Sequence, residues 1–365
     1  MRSKRWLGKS MALAAPLALV AVACASSSQK EPAGLSPERD LGSLRVVWTT
    51  EANSYIPQAK GPIIFGPEFG LRQKDSDIKE FGSHATAVQV LLSGRADIGA
   101  GSFTSFAQVA QRGVDLVSFC PIHGDASEIL VGVGEVTELS QVKDPSVRVG
   151  VDSSGGLINF IMNAVFRSRG LGITVDDLNN VKVLEDGSLR LAGLASGEID
   201  VGSLDPFEKA QLERQVGEKN VHVLSVTAGD MNALGDSYAA HQSWLDSHMD
   251  EATAFCASVL RSNREMARSF ELYKKTSNDY IDPNPRHGVL RVNWNLARKY
   301  QIWPYNVDLL TPKVVNDTIR IGVDSGLLEP SALDLDFDEI VDRRPAEGAL
   351  KLIGGPTSPS EITGG

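Results

Sequence analysis

Short apolar runs alternate with segments of helical periodicity between residues 44 and 227, and the alternation is written twice. The stretch Leu92-Ser93-Gly94-Arg95-Ala96-Asp97-Ile98-Gly99-Ala100-Gly101-Ser102 returns about 103 residues later as Ala195-Ser196-Gly197-Glu198-Ile199-Asp200-Val201-Gly202-Ser203-Leu204-Asp205. In each copy a helix stops at a glycine, which enters the left-handed region without a Cβ penalty. A short buried strand follows, then a polar turn into another helix. The offset nearly holds upstream, where Val46 to Glu51 faces Arg148 to Ser153 and Lys79 to Phe81 faces Lys182 to Leu184. A unit of this length repeated only twice predicts two similar α/β lobes rather than a solenoid.

The same reading places strands over 44–49, 78–81, 97–101, 115–122, 128–135, 147–151, 181–184, 200–203 and 221–226. It places helices over 84–92, 103–111, 157–169, 189–195 and 206–216. Beyond Gly229 the pattern turns helical, over 247–275, 293–300 and 313–326, punctuated by Pro283, Pro285, Pro304 and Pro312. These later helices are expected to pack back on the first lobe. Strands alternating with helices predict parallel, doubly wound sheets, which bind ligands beyond the carboxyl ends of their strands.

The ends of the chain differ from its middle. Arg2, Lys4, Arg5 and Lys9 precede an apolar run from Met11 to Ala23, too short for a membrane span and suited to a signal peptide. The run closes Ala21-Val22-Ala23-Cys24 and a polar Ala-Ser-Ser-Ser-Gln-Lys follows. That junction resembles a bacterial lipobox, which implies cleavage before Cys24 and lipid attachment there; ordinary secretion with an incidental cysteine is the alternative. Residues 346–365, rich in Gly, Pro, Ser and Thr, read as a disordered tail. The remaining cysteines, Cys120 and Cys256, both lie in apolar runs. They fit either a disulfide of an exported protein or two buried thiols. The formal net charge of -10 becomes more negative once the basic leader is removed, which argues against nucleic acid as a partner.

The strand-end rule nominates particular residues as contacts for a small solute: Thr49, Thr50, Glu51 and Asn53; Gly101, Ser102 and Phe103; His123; Ser153, Ser154 and Gly155; and Asp205. Ser153, Ser154 and Gly155 precede a helix, where free N–H groups and the positive end of the dipole suit an anionic or polar group. Ser and Asp at these places serve equally as plain helix caps. Trp48, Phe65, Phe103 and Phe207 are candidates for stacking on a ring, or are core. No HExxH, CxxC, GxSxG or P-loop pattern occurs, so no metal site, cofactor or catalytic residue is expected.

In order along the chain, Gly61-Pro62…Phe69-Gly70-Leu71, then Leu92-Ser93-Gly94-Arg95-Ala96-Asp97-Ile98-Gly99, Arg148-Val149-Gly150-Val151…Gly155 and Leu194…Gly197-Glu198-Ile199-Asp200…Asp205-Pro206, resemble bacterial ABC-transporter substrate-binding proteins of the nitrate, sulfonate and thiamine-pyrimidine group. The resemblance implies the α/β type II periplasmic-binding-protein fold, with two doubly wound lobes, a hinge and a ligand cleft between them. It implies a signal peptide over 1–23, a lipid-anchored linker over 24–42, a discontinuous first lobe over 43–122 and 228–345, and a second lobe over 123–227. The strands expected to cross between lobes are 118–123 and 223–227. The function implied is that of an extracytoplasmic, membrane-anchored, monomeric receptor that closes on a sulfonate, nitrate, pyrimidine or aromatic acid. Its partners are then the permease and ATPase of an importer. A thiamine-pyrimidine-synthase-like enzyme and a sensory binding lobe are the alternatives.

Overall fold

A computed structural model of the chain describes residues 35–49, 55–81, 83–124, 128–153, 156–227, 233–280 and 287–364. The strands are β1 (Val46–Trp48), β2 (Ile78–Glu80), β3 (Ile98–Ser102), β4 (Leu116–Gly124), β5 (Ile129–Val133), β6 (Val149–Val151), β7 (Val181–Val183), β8 (Val201–Leu204), β9 (Val221–Val226) and β10 (Leu234–His241). They form two five-stranded sheets, ordered β2-β1-β3-β10-β4 and β7-β6-β8-β5-β9. The two orders are the same pattern. Three parallel strands lie beside one antiparallel strand, which pairs on its far side with the fourth strand of the unit.

Wholly parallel sheets are therefore not what forms. The antiparallel strand in each sheet is the one that arrives from the other lobe. It enters at the edge where the parallel strands end, so it must run the opposite way. The register shows this: Asp236 at the start of β10 lies beside Ser102 at the end of β3, and Ile129 at the start of β5 lies beside Leu204 at the end of β8. The chain leaves the first sheet after β4, builds the second through β9, and returns in β10.

The repeated sequence has a repeated structural cause. Gly94 and Gly197 both adopt positive φ, +69° and +72°, where a side chain is strained. Three residues on, Asp97 and Asp200 do the same work. Each carboxylate accepts the backbone N–H of an arginine at 2.8 Å, Arg45 for Asp97 and Arg148 for Asp200, and also binds that arginine's guanidinium. Each clamp fixes the start of a lobe's first strand against the turn before its third. The Arg148 guanidinium holds the Asp200 carboxyl below its usual range, chiefly by that side-chain hydrogen bond.

Both faces of each sheet are covered. In the first lobe a large core includes Trp48, Phe103, Phe119, Tyr238 and Phe255. A smaller one on the opposite face joins Val47, Leu91 and Phe106. In the second, Leu157, Phe160, Ile161 and Val165 of the helix Leu157–Ser168 pack with Val149 and Val201, while Leu194, Ile199 and Leu212 pack with Ile129 and Val131. The predicted helix over 247–275 is two helices, Met249–Arg268 and Phe270–Tyr280. The first of them lies so close to the helix Ile56–Ile64 that a Cβ at Gly61 would stand 2.7 Å from the Ser262 Cβ. Among the described residues no helix is long and apolar enough to cross a membrane.

Two expectations about the ends change. Residues 346–364 are not a disordered tail: they run through the helices Arg344–Leu352 and Pro359–Thr363 and the turn that joins them. Ala346, Ala349 and Ile362 are buried, and Arg264 donates to the carbonyls of Ile353 and Gly355 at 3.2 and 2.8 Å. The small residues there serve close packing and caps rather than disorder. At the other end, residues 35–42 of the expected linker are part of the fold. Leu35 is buried, the Leu41 N–H donates to Gly70, and Arg72 donates to Pro37. The signal peptide and Cys24 lie outside the described residues.

Cys120 of β4 and Cys256 of the helix Met249–Arg268 are joined by a disulfide, Cα atoms 5.7 Å apart, and not left as free thiols. Closing a loop of 136 residues stabilises a fold by about 2–5 kcal/mol. The double variant Cys120→Ala/Cys256→Ala should therefore unfold at a midpoint lower by several degrees in a thermal scan. An unchanged midpoint would show that the link contributes nothing.

Candidate functional site

The carboxyl ends of the strands of both sheets meet around one cavity of about 50 Å³. The first lobe contributes Thr49, Tyr55, His84, His123 and Asp236. The second contributes Glu128, Asp152, Leu157, Ile158, Asp205 and Glu208, together with Glu185, Asp186, Gly187 and Arg190. The wall thus carries seven carboxyl groups against one arginine and two histidines.

Three of these groups come from the two crossings. His123 is the penultimate residue of β4, Glu128 immediately precedes β5, and Asp236, third in β10, lies beside His123. The His123 Nδ1 is 2.9 Å from the Gly124 carbonyl and its Nε2 is 3.5 Å from Asp236. Its ring stacks on Tyr55, centroids 4.7 Å apart and 18° from parallel. The Glu128 carboxylate accepts the Ser203 hydroxyl at 2.6 Å, and the Glu128 carbonyl accepts the Thr227 hydroxyl at 2.9 Å. The strands that enter and leave the second lobe are tied together at this point.

Four more carboxylates come from helix N-termini in the second lobe. Asp152 accepts N–H groups of Ser153, Ile158 and Asn159 at 2.7, 3.3 and 3.3 Å, so its carboxylate caps the helix Leu157–Ser168. A Cβ at Gly156 would overlap that carboxylate. Asp186 accepts the Leu189 N–H at 2.7 Å and caps the helix Gly187–Ser196. Asp205 and Glu208 form a reciprocal capping box on the helix Pro206–Val216, each accepting the other's N–H, at 2.7 and 2.9 Å. The Glu208 carboxylate also lies where a Cβ on Gly187 would be, so only glycine leaves it room. Arg190 is turned to backbone, donating to the carbonyls of Ser203 and Leu184 at 3.2 and 3.1 Å.

Burial and crowding displace the titrations of this wall. Burial pushes the Glu208 carboxyl well above its ordinary range, and the Asp205 charge adds to it. Burial likewise raises Glu128, against the opposing Ser203 hydrogen bond and the charges of Arg190 and His123. For His123, burial pulls the imidazole down, but the Asp236 charge and hydrogen bond outweigh it and the net direction is up.

Of the residues nominated from sequence, Thr49, His123 and Asp205 line the cavity. Gly101, Ser102, Phe103 and Ser153 do not. Phe103 is wholly buried in the first-lobe core, and Ser102 spends its N–H on His84 Nδ1 at 2.8 Å and its hydroxyl on Thr104 at 2.7 Å. Ser153 donates its N–H to Asp152. Thr50, Glu51, Asn53, Ser154 and Gly155 lie outside the described residues. Trp48, Phe65 and Phe207 are buried, and the aromatic face of the cavity is Tyr55 with His123. Asp236 was missed because β10 was missed. Glu128, Arg190 and Glu208 were missed because a charged residue within a strand or helix pattern reads as a solvated face.

Sheets of this order meeting around a shared cavity define a two-lobed α/β fold. The model of the family described as NMT1/THI5 like matches residues 75–269, more than half of the chain, and the protein belongs to that family. A comparison with curated proteins finds no match. Solved structures share the fold at low identity. A ligand-binding component of an ABC-type import system from Staphylococcus aureus, with zinc bound, is 14% identical at a TM-score of 0.64, covering 84% of this chain and 99% of that one. The periplasmic nitrate-binding protein NrtA from Synechocystis PCC 6803 is 11% identical at 0.66, covering 89% and 93%. The alkanesulfonate-binding protein SsuA from Xanthomonas axonopodis pv. citri, bound to MOPS, is 14% identical at 0.58, covering 80% and 96%. The fold is that of periplasmic binding proteins.

The raised carboxyls set a direction for pH. A carboxyl whose folded pKa exceeds its unfolded value contributes stability that falls as pH rises between the two. The same holds for the raised His123, whose contribution is complete below its unfolded value of 6.5. The thermal midpoint of the ligand-free protein should therefore carry a loss from this site as pH rises above about 4.5. Glu208→Gln, which keeps the acceptor for the Asp205 N–H, should lose less over the same range. Parallel pH curves for the two proteins would contradict the burial of a neutral Glu208.

Proposed function

We propose that the protein is the extracytoplasmic solute-binding lipoprotein of an ABC importer, closing two lobes on a small molecule and handing it to permease and ATPase subunits. The observation that carries this reading is the cavity lined from both sheets at the point where the chain crosses between them. A ligand bridging such a wall favours the closed state by its contacts to the second lobe, which an open state lacks. The names of proteins with the same fold point the same way: an import-system component, a nitrate-binding protein and an alkanesulfonate-binding protein. The Cys120–Cys256 disulfide suits an oxidising compartment outside the cytoplasm. The basic, then apolar, then Ala-Val-Ala-Cys24 leader suits export and lipid anchoring. Within the solute classes expected from sequence, the acidic wall weighs against nitrate, sulfonate and an aromatic acid and toward a pyrimidine.

Expressed with its own leader in a bacterial host, the protein should sediment with membranes, and Cys24→Ala should move it to the soluble fraction. Equal partitioning of the two would contradict lipid anchoring. A compound found bound by native mass spectrometry should raise the stability of the purified protein by about 4 kcal/mol at a thousandfold excess over its Kd. It should be recovered unchanged, whereas recovery of a converted product would contradict the receptor reading.

A further inference from the structure

We propose that the solute of this cleft is an organic cation, a protonated amine or amidine, and that Glu128 and Glu208 are its counter-ions. The proposal rests on the reading of the cleft as a solute site, and that site stands on the two-lobed cavity rather than on its acidity.

An anion is held in such clefts by helix N-termini, whose free N–H groups and dipole it completes. Here the protein's own carboxylates hold those positions. Asp152 takes the Ile158 and Asn159 N–H groups of the helix Leu157–Ser168, Asp186 caps Gly187–Ser196, and Asp205 with Glu208 caps Pro206–Val216. Gly156 and Gly187 have no side chain where Asp152 and Glu208 lie. The one permanent cation of the wall, Arg190, donates to two backbone carbonyls and stands as the opposite charge to Glu128 and Glu208, so it is already spent within the protein. An incoming anion would meet the carboxylates of Asp152, Asp186 or Asp205 at these places, whereas a cation is drawn to them.

A positive nitrogen also fits the remaining surface. The Tyr55 ring, stacked on one side against His123, offers an aromatic surface, to which organic cations are attracted. Among the described residues no three His, Cys, Asp or Glu side chains converge at metal-ligand spacing, which favours a spread organic charge over a bare ion. The groups facing Glu208 are Asp205 and Glu128 as like charges and Arg190 as the opposite one. Those facing Glu128 are Arg190 and His123 as opposite charges and Asp236 as the like one. In the empty cleft burial favours the protonated carboxyls, so cation binding expels protons and tightens as pH rises.

The test is calorimetry on the full-length protein with guanidinium, ethanolamine and 4-aminopyridine, against nitrate and methanesulfonate, at about pH 5 and pH 8. At least one of the cations should bind, more tightly at the higher pH and with protons released to buffer. Glu208→Gln and Glu128→Gln should each weaken it about tenfold or more. Gly187→Ala, which leaves every charge in place but displaces the Glu208 carboxylate, should weaken it as well while the fold persists by circular dichroism. Binding of nitrate or methanesulfonate that Glu208→Gln leaves intact or improves would overturn the proposal and leave the receptor reading standing. Zinc binding alone at these carboxylates, or no binding of any of the three cations up to about 10 mM, would overturn it too. A cation that binds but is recovered chemically altered would uphold the charge assignment and contradict the receptor reading.

Discussion

The structure depends on the way the chain crosses between its two sheets. Each crossing ends at the edge where parallel strands terminate, and the arriving strand must therefore run back through the sheet. That constraint makes β5 and β10 antiparallel and gives both sheets the same order. It also decides where chemistry collects. Glu128 and Asp236 stand at the first turns of the arriving strands, opposite His123 at the end of a departing one. Charged groups that would be solvated at a loop become the buried wall of a cleft, and their mutual pairing is what makes the burial tolerable.

Frame and site have diverged differently within the duplicated units. The glycine stop and the aspartate clamp on the first strand are the same in both lobes, down to the 2.8 Å hydrogen bond on the arginine N–H. At the third strand's end the lobes part. In the first, the Ser102 N–H is taken by His84 and the following helix starts with the buried Phe103. In the second, the corresponding turn is Asp205, whose capping box with Glu208 places two carboxylates in the cavity. The repeated part holds the strands in register, and the part that is not repeated carries the polarity of the cleft.

Most strands were legible because apolar runs closed by glycine carry their own boundaries, and the two-lobe reading followed from the repeat. β10 was not, because Leu-Gly-Asp-Ser-Tyr-Ala-Ala-His holds few strand-favouring residues and forms a strand through pairing with β3 and β4 on its two sides. Its loss concealed Asp236, and with it the partner of His123. The acidic wall was hidden for a related reason. Glu208 lies in the first turn of a helix whose sequence reads like any solvated face, and only the packing of Pro206–Val216 over Gly187 turns it inward. Ser153 was read as a ligand for an anion, yet the residue before it, Asp152, already fills that role from within the chain. The helices at 346–364 were unread because alanines that pack closely and prolines that start helices have the composition of a tail.

The central claim, that one small molecule is gripped by both lobes at the strand ends, is tested most directly by a crystal structure of the protein carrying a compound that survives its purification. The account predicts density for that compound in contact with Tyr55 or His123 of the first lobe and with Glu128 or Glu208 of the second. Density touching one lobe alone, or seated on an outer face away from the crossings, would contradict it.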